Sequence, residues 1–600
     1  METEKISTGI NIDEDTKRVY PYNNLASNLI GFCGTDNTGI QGIEDSWNSV
    51  LQGTPGKITT STDAIQEEIP DSNQTYIPAE NGSDIVLTID YYIQTVLEKY
   101  LKQAVEENNA DSGTVVAMAP STGDILGMAC YPDYNLNTPF EPNTEELKAT
   151  WDTLDSTTQS DALYNMWKNN VVSSPYEPGS PYKLITAATA LEENITSEDV
   201  PNDFYCNGSI EVADRKISCW TQAHKGAKTL RQALQVSCNP SLIQLGQRIG
   251  AETLYKYYQA FGFFDKTGID LPQEASSTYW KLEDVKDVEL ATMSFGQRFT
   301  ITPIQLVSAV SAIANDGILM KPRIVKQIIN PETGTTTDIE PVQVRQVISK
   351  STSERMRNLM KSVVDDGSGR LAKVEGYSIG GKTGTSEPQA GREDEGYIAS
   401  YVAIAPTEKP EICLLIAVHN PNPNNEGSHQ GGQVCGPVVS QMLSEILPYL
   451  GLTSSNAQTS TDTVEEDTSY ATVPDIRNKT VTEAEKLLKQ AGFTTKVNIS
   501  GDKNSTLVTD QTPKPGSSIP KGSIIVLYTE ENDTRVSVKV PDFKDKTLAQ
   551  AENMAKANNL NITTEGSGTV ISQSIMVDTA VEEGTIIKLT LSTESDGTNQ

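Results

Sequence analysis

The C-terminal part of the chain repeats itself once, and no other feature of the sequence limits the possible folds as much. The matching residues, each pair 67 positions apart, are Val473-Pro474-Asp475 with Val540-Pro541-Asp542, Lys479-Thr480 with Lys546-Thr547, Ala484-Glu485 with Ala551-Glu552, and Phe493 with Leu560. Each copy has the pattern of a short strand, a turn, one amphipathic helix and further strands. Two copies are too few for a solenoid, so we predict two small βαββ modules.

A linker separates these modules from the rest of the chain. Nine of the twenty residues at 451–470 are Ser or Thr, and apolar residues are almost absent from this segment. The 600 residues of the chain are too many for one hydrophobic core. The predicted domains are an incomplete N-terminal domain at 1–83, a main domain at 84–450, and the two modules at 471–531 and 536–593.

Composition excludes several classes of partner. The formal net charge is −33 and the basic residues form no cluster, so a nucleic-acid-binding surface is not expected. No segment approaches the run of roughly 18 apolar residues that indicates a membrane-spanning helix. The sequence starts with Met1 followed directly by polar residues, as if in the middle of a pattern, and we expect a truncated start.

The cysteines and histidines predict neither a disulfide framework nor a metal site. Seven cysteines spread through a long chain do not form the regular, even set that such a framework requires. Cys206 and Cys219 bracket a predicted hairpin at 207–218 and could face each other across it, so a bridge between them stays open. None of the three histidines, which are His224, His419 and His429, is spaced with acidic or cysteine partners as a metal site requires.

The main domain has strand patterns at both of its ends. Two strands are predicted at 113–119 and 124–131, joined by a tight turn, and strands return between about 370 and 420. Helical patterns dominate from about 145 to 320. This order predicts one antiparallel sheet assembled from both ends of the domain with helices packed on it, within a multidomain α+β protein.

A serine and a lysine stand three residues apart at a predicted helix start. Pro178 and Gly179 prevent a helix before Ser180, whereas Pro181 suits a first helical position. Ser180 and Lys183 would therefore project from one face of the first turn, as a nucleophile beside a base does. Taken alone, the pattern also fits a helix-capping serine followed by a solvated lysine.

A second pair of polar side chains lies in a predicted break between two helices. Ser237 and Asn239 flank Cys238 there, directly before Pro240, and could present a hydroxyl and an amide to a cleft. In isolation, the same two residues could simply cap the helices.

A third motif lies on a strand rich in small residues, at 378–386. Glycines weaken a strand unless another backbone or a ligand must come close. Lys382, Thr383 and Thr385 would place one positive charge and two hydroxyl groups beside that approach, which suits a ligand with a carboxylate. A glycine-rich hairpin is the alternative.

The three motifs occur in the order Ser-x-x-Lys, Ser-x-Asn, Lys-Thr-Gly, and together they resemble those of penicillin-binding proteins and serine β-lactamases. The wider resemblance is to class B penicillin-binding proteins, the monofunctional peptidoglycan transpeptidases. It is carried by the blocks 176–180, 237–239, 293–297 and 381–385. Residues 18–56 resemble part of the N-terminal pedestal, or dimerisation, domain of that family, so that 1–83 would be a partial pedestal, and the two repeats resemble PASTA domains.

The sequence departs from the family pattern at the edge of the expected cleft. Pro181 and Tyr182 stand where the family often has Thr-Phe, and Arg298 stands where a glycine commonly follows Gly-Gln. These changes affect the rim of the cleft more than the reaction that the resemblance implies.

The resemblance implies a serine D,D-transpeptidase with no cofactor. Ser180 would attack the penultimate D-alanine of a peptidoglycan stem peptide, neutral Lys183 would be its base, and Ser237 would relay the proton. Substrate binding would fall to the amide of Asn239 and to the Lys-Thr-Gly strand, namely Lys382, Thr383, Gly384 and Thr385. β-Lactams would acylate Ser180.

The family also implies a location and partners. We expect the protein at the extracytoplasmic face of the membrane, anchored by an N-terminal helix that this sequence lacks, beside a SEDS-type glycan polymerase and division or sporulation proteins. The alternative from another class is a non-catalytic cell-wall sensor or scaffold that binds peptidoglycan or β-lactams. A β-lactamase is less consistent with the pedestal, the repeats and the lack of a dedicated deacylating carboxylate.

Overall fold

A computed structural model describes residues 17–59, 75–388, 396–424, 427–452, 470–497, 501–530, 535–566 and 568–592. The chain divides into two compact units, Met1–Ser444 and Glu445–Gln600. None of the helices in the described ranges combines the length and the apolar character that a membrane crossing needs.

The N-terminal segment packs against the body of the first unit. It contains helices α1 (Ser27–Ile30), α2 (Gly42–Ser46) and α3 (Asn48–Leu51) and the antiparallel strands β1 (Lys57–Thr59) and β2 (Thr75–Ile77). The side chain of Asn28 donates hydrogen bonds to the carbonyl oxygens of Met166 and Lys168, at 3.0 and 3.1 Å. The rings of Phe32 and Trp167 meet edge to face with centroids 5.0 Å apart. This segment is therefore held by both polar and aromatic contacts.

The body of the first unit contains the remaining elements up to residue 444. Its strands are β3 (Asp84–Leu87), β4 (Ser112–Met118), β5 (Ile125–Tyr131), β6 (Phe204–Cys206), β7 (Ser209–Val212), β8 (Arg215–Ser218), β9 (Gly226–Lys228), β10 (Ile318–Met320), β11 (Val325–Ile329), β12 (Thr336–Asp338), β13 (Gln343–Gln346), β14 (Gly380–Ser386), β15 (Ile398–Ala405) and β16 (Ile412–His419). Its helices are α4 (Tyr91–Glu107), α5 (Glu145–Thr150), α6 (Ser156–Trp167), α7 (Asn170–Ser173), α8 (Lys183–Glu192), α9 (Leu230–Gln235), α10 (Asn239–Ile249), α11 (Ala251–Ala260), α12 (Asp287–Met293), α13 (Pro303–Ala314), α14 (Lys350–Asp366), α15 (Gly431–Val434) and α16 (Gly436–Tyr449), of which α16 ends in the second unit. Short 3₁₀ helices are Trp151–Thr153, Ser180–Tyr182, Leu282–Asp284 and Arg370–Ala372.

A five-stranded antiparallel sheet forms the centre of this unit. Its strand order is β14-β15-β16-β4-β5, so the two N-terminal strands pair with the three C-terminal ones, as the sequence predicts. Side chains alternate between its faces. Gly113 and Gly127 leave room for α4 on one face, where an added Cβ atom would lie 2.8 and 2.7 Å from leucine side chains of that helix. The other face carries the fully buried α13.

Helix α8, which follows the Ser180 turn, lies in the hydrophobic core of this unit. Every residue from Lys183 to Leu191 is buried. Alanines at 187, 188 and 190 allow neighbouring helices to approach closely, and α8 contacts α10, α11, α13 and α14. The start of α8 is consequently fixed on several sides.

The predicted hairpin at 207–218 is present as β7 and β8. Val212 pairs with Arg215 across a two-residue turn, in which Ala213 has a positive φ of 51°. Cys206 and Cys219 are both free thiols, as are the other five cysteines of the chain. The structure therefore contains no bridge across this hairpin.

The second unit contains the two repeats. The first copy has α17 (Val481–Gln490) and strands β17 (Tyr470–Thr472), β18 (Thr494–Val497), β19 (Val508–Thr512), β20 (Ser518–Pro520) and β21 (Ile524–Thr529); the second has α18 (Leu548–Ala557) and β22 (Ser537–Lys539), β23 (Asn561–Glu565), β24 (Thr569–Gln573), β25 (Ala580–Glu582) and β26 (Ile586–Ser592). In each copy a helix covers a three-stranded sheet of order β18-β21-β19 or β23-β26-β24, and a two-stranded ribbon accompanies it. These modules and the sheet of the first unit confirm the multidomain α+β fold.

Polar contacts join the two repeats within the second unit. The side-chain amide of Asn561 accepts a hydrogen bond from the Ile524 N–H and donates one to the Ile524 carbonyl, both at 2.8 Å. Lys496 forms an ion pair of 2.7 Å with Glu583, whose side chain is 7% exposed. The two modules therefore have a defined contact with each other.

Candidate active site

Ser180 opens a single 3₁₀ turn, Ser180–Tyr182, that leads directly into α8. Gly179 has a φ of +59°, a conformation that L side chains rarely adopt. A Cβ atom at this glycine would also lie 2.9 Å from the hydroxyl of Ser386. Glycine is thus required directly before the serine for both conformational and steric reasons.

The hydroxyl of Ser237 connects the candidate residues. It donates a hydrogen bond of 2.9 Å to the Ser180 Oγ. It accepts hydrogen bonds from Lys183 Nζ at 3.2 Å and from Lys382 Nζ at 2.9 Å. Residues from all three sequence motifs therefore meet at one hydroxyl group.

Lys183 contacts Ser237 and Asn239 and makes no hydrogen bond to Ser180 in the structure. Its Nζ lies 2.8 Å from the Ser237 carbonyl oxygen and 2.6 Å from the Asn239 Oδ1, in addition to the Ser237 hydroxyl. The sequence predicts a direct approach of Lys183 to Ser180, because the two residues share one face of a helical turn. The structure differs because three acceptors from the neighbouring turn hold the amine, so that the connection to Ser180 runs through Ser237.

Burial changes the protonation of both lysines. Lys183 and Lys382 have no exposed surface. Burial lowers the pKa of Lys183 from 10.5 to about 8. The pKa of Lys382 lies well below its ordinary value because of burial and, secondarily, because of the nearby charge of Lys183. At least one amine of the pair can therefore be neutral near physiological pH.

The turn that carries Ser237 lies between α9 and α10. Ser237 has a φ of +52°, which is uncommon for a residue other than glycine. Cys238 is the N-cap residue of α10, and Asn239 and Pro240 form its first turn. This arrangement brings the Ser237 hydroxyl and the Asn239 side-chain oxygen to the same amine, that of Lys183.

The third motif lies on β14, the edge strand of the sheet. Lys382 is fully buried behind the strand, with Nζ 3.0 Å from the Thr383 carbonyl oxygen. The hydroxyls of Thr383 and Ser368 lie 3.2 Å apart, and Thr385 Oγ1 accepts a 3.1 Å hydrogen bond from the Gly431 N–H. The two threonines line the cleft, and the amine of Lys382 lies beneath them.

Gly384 allows β14 to pack closely on both sides. A Cβ atom at this position would lie 2.2 Å from the Ser400 hydroxyl and 2.6 Å from the ring of Pro181. The strand therefore contacts the Ser180 turn through the same glycine that the Lys-Thr-Gly motif contains.

An open cleft of about 340 Å³ surrounds these groups. Of the predicted residues, Ser180, Ser237, Asn239, Thr383 and Thr385 line the cleft. Lys183 and Lys382 lie beneath its floor. The structure adds further walls, formed by Phe295 and Gln297 of the block 293–297 and by Trp220, Ser368, Arg370, Leu371, Glu387, Tyr397, His429 and Gln430. The last eight come from loops and short turns far apart in the chain, and no local motif marks them.

The departures from the family pattern lie close to this cleft. The ring of Pro181 packs against Gly384, where an added Cβ atom would lie 2.6 Å from the ring. Tyr182 is fully buried among aromatic rings, with centroids 4.9 Å from Tyr258 and 4.6 Å from Phe299. Arg298 adopts a φ of +69°, which a glycine would adopt more readily.

Three family models match different parts of the chain. The penicillin binding protein transpeptidase domain matches residues 113–444, and the penicillin-binding protein dimerisation domain matches residues 1–87. The PASTA domain matches twice, at 471–531 and 538–593. The resemblance inferred from the sequence is therefore confirmed.

Similar proteins cover most of the chain. Stage V sporulation protein D of Bacillus subtilis is 36% identical over 531 residues, which are 88% of this chain and 78% of that protein. The peptidoglycan D,D-transpeptidase FtsI of Escherichia coli is 29% identical over 74% of this chain and 69% of its own length. A crystal structure of penicillin binding protein 3 from Mycobacterium tuberculosis complexed with aztreonam aligns with a TM-score of 0.61 at 26% identity, covering 73% of this chain and 91% of that one.

Proposed function

Because the chain belongs to the class B penicillin-binding proteins with C-terminal PASTA domains, we propose that it is a serine-type peptidoglycan D,D-transpeptidase whose nucleophile is Ser180. The single observation that carries this proposal is the hydrogen-bonded connection from Ser180 through Ser237 to two buried lysines, in an open cleft. A site that only binds a ligand has no need of a nucleophile connected to a base.

Acylation begins with loss of the Ser180 proton. Neutral Lys183 accepts that proton through the Ser237 hydroxyl, which contacts both groups. Ser180 Oγ then attacks the carbonyl carbon of the penultimate D-alanine of a stem peptide. The peptide C–N bond breaks, the proton returns through Ser237 to the leaving nitrogen, and the terminal D-alanine departs as the free amino acid.

Deacylation repeats the same steps with an amine as the nucleophile. An amino group of a neighbouring stem peptide attacks the ester and loses a proton to the same relay, and Ser180 regains its hydroxyl hydrogen. The product is a cross-link between two stems. A β-lactam reacts as the donor does, but its ring-opened remainder stays attached, which explains why the adduct would persist.

Substrate recognition is assigned to the walls of the cleft. The hydroxyls of Thr383 and Thr385 would bind the terminal carboxylate, with the charge of the Lys382–Lys183 pair beneath them. The Asn239 amide would hold a backbone amide of the stem. Gly384 lets the strand approach, and the backbone N–H groups of Ser180 and Thr385 would form an oxyanion hole, for which each donor is typically worth about 2.7–4 kcal/mol.

A cross-linking assay tests the proposal. The full chain is incubated with a donor peptide that ends in D-alanyl-D-alanine and with an acceptor amine, and both free D-alanine and cross-linked peptide are measured. Both products are expected from the parent protein and neither from Ser180→Ala. Ser518→Ala is a matched control, since Ser518 also begins a Ser-x-x-Lys sequence and should leave both products unchanged. A folded parent that only binds the peptide would instead be a non-catalytic cell-wall sensor.

Location and protein partners follow from the family alone. Since peptidoglycan lies outside the cytoplasmic membrane, we propose that the enzyme acts at the extracytoplasmic face. A membrane anchor, a SEDS-type glycan polymerase and division or sporulation partners stay predictions of the resemblance.

A further inference from the structure

Three cysteines and one histidine converge beside the Ser237 turn. Every sulfur and imidazole donor atom of this group lies within 4.8 Å of the others. Within the described ranges it is the one group of its kind, and the three cysteines are buried. We call it the Cys₃His cluster, and its members are Cys206, Cys219, His224 and Cys238.

The cluster is assembled from segments that are distant in sequence. Cys206 ends β6, Cys219 follows β8, and Cys238 caps the start of α10. His224 lies in the loop between β8 and β9 and places Nε2 3.1 Å from the sulfur of Cys219. Sequence spacing alone gave no sign of a metal site because pairing of β6 with β9 and of β7 with β8 is what brings these segments together.

The spacing of the donor atoms fits a tetrahedral zinc site. With Zn–S near 2.3 Å and Zn–N near 2.0–2.1 Å, tetrahedral geometry places two sulfurs roughly 3.8 Å apart. Since all donor atoms lie within 4.8 Å of one another, each side chain would need to move by about an ångström or less to reach the tetrahedral spacing. Four protein donors leave no open position, which is typical of a structural zinc site.

A backbone N–H group already points at one of the sulfurs. The N–H of Gly208, a residue with a φ of +87°, donates to the Cys206 sulfur at 3.4 Å. Such hydrogen bonds stabilise thiolates, the form in which cysteine binds metals. The surroundings of the cluster are thus prepared for charged ligands.

A bound metal explains the convergence of all four side chains better than a disulfide would. A bridge would use two of the three thiols and would leave the third thiol and the imidazole without a role. A zinc ion uses all four donors at once, and no oxidant is required. On binding, the three thiols release their protons to solvent while the zinc keeps its oxidation state.

We propose that the Cys₃His cluster binds one zinc ion and that the ion holds the Ser237–Asn239 turn in place through Cys238. Ser237 keeps an uncommon left-handed backbone conformation, and such conformations persist where the surrounding structure fixes them. The metal would be a positioning element at the edge of the active site, with no contact to the substrate. The metal site itself is independent of the reaction proposed above, whereas the positioning role rests on that proposed function.

Metal analysis of the purified protein tests the inference first. The full chain is purified without added metal, and its zinc content is measured by mass spectrometry of the elements. One zinc per chain is expected in the parent and in the control Cys130→Ser, which changes a buried cysteine outside the cluster. Cys206→Ser and Cys219→Ser should lose the metal. A folded parent without zinc that also fails to take up added Zn²⁺ would overturn the proposal.

Cobalt substitution and intact mass distinguish a metal from a disulfide. After removal of zinc with a chelator, Co²⁺ should produce visible bands of a tetrahedral thiolate site. His224→Ala, the change least disturbing to the core, should weaken Co²⁺ binding about tenfold or more, since one of four ligands is lost. A native mass lower by two hydrogens, with two cluster cysteines joined in peptide maps, would contradict the proposal.

The positioning role has its own readout. Metal-free parent protein that keeps its circular dichroism spectrum should react with a β-lactam at least about tenfold more slowly, as with loss of groups that orient a site. Added Zn²⁺ should restore the rate. An unchanged rate in the folded, metal-free protein would refute the positioning role while leaving the metal site itself intact.

Discussion

The rate at which Ser180 is acylated should rise with pH and level off above about pH 8. The reason is that Lys183 must be neutral to accept a proton, and burial lowers its pKa to about 8. At pH 7 about one tenth of the molecules would then carry a neutral Lys183, against about three in ten thousand for an ordinary lysine. Burial thus raises the reactive fraction roughly 300-fold, equivalent to about 3 kcal/mol.

The sign of the effect follows from the direction of that change. Lowering the pH protonates the base, so the rate should fall about tenfold for each pH unit well below 8. Stopped-flow measurement of acylation by a fluorescent penicillin between pH 6 and 9 gives the profile directly. Lys183→Arg keeps the positive charge at all these pH values and should reduce acylation by about 10²–10⁴-fold.

A matched control is available on the surface. Lys256 is 74% exposed and pairs only loosely with Glu193, so Lys256→Met should leave both the rate and the profile unchanged. A flat profile in the parent between pH 6 and 9, or normal acylation in Lys183→Arg, would refute the assignment of Lys183 as the base.

Three further predictions concern the site and the repeats. Gly384→Ala should slow acylation and lower the stability of the protein by about 1–3 kcal/mol, because the added methyl group would overlap the Ser400 hydroxyl and the Pro181 ring. Thermal unfolding measures the stability, and a variant with the parent's melting temperature and acylation rate would show that the strand can shift. Ser237→Ala should reduce the acylation rate about 10²-fold or more without unfolding the protein, because the relay between Ser180 and Lys183 is removed. An unchanged acylation rate would mean that Lys183 reaches Ser180 directly. Asn561→Ala removes both hydrogen bonds to Ile524 and should lower the free energy of unfolding of the second unit by about 1–3 kcal/mol, without affecting acylation. Urea unfolding followed by a probe in the repeats measures this change, and an unchanged free energy would count against the contact between the modules.

The sequence identified the residues of the candidate site more completely than it identified the hydrogen bonds between their side chains. Local patterns located Ser180 at a helix start, Ser237 and Asn239 at a break between helices, and Lys382 on a glycine-rich strand, because prolines, glycines and caps act within a few residues. They could not show that Lys183 reaches Ser180 through Ser237. That contact depends on how the turn before α10 packs against the start of α8, across 54 residues of sequence.

The same limit explains what was missed around the site. Trp220 and His429 face the cleft from loops and Arg370 faces it from a short 3₁₀ helix, and such positions carry no periodic signal. The Cys₃His cluster depends on two strand pairings of three or four residues each, too short to predict from the sequence. In contrast, the repeats were visible because two copies at a constant offset display the same helix and strand pattern, although their two-stranded ribbons were not anticipated.

Intact mass measurement after incubation with a penicillin tests the central claim most directly. The account predicts one stable adduct on the parent protein, located by peptide mapping on Ser180 and absent from Ser180→Ala. An adduct that persists in Ser180→Ala would place the nucleophile elsewhere. No adduct on a correctly folded parent would contradict the transpeptidase assignment and would leave Ser180 as the first residue of a buried helix turn.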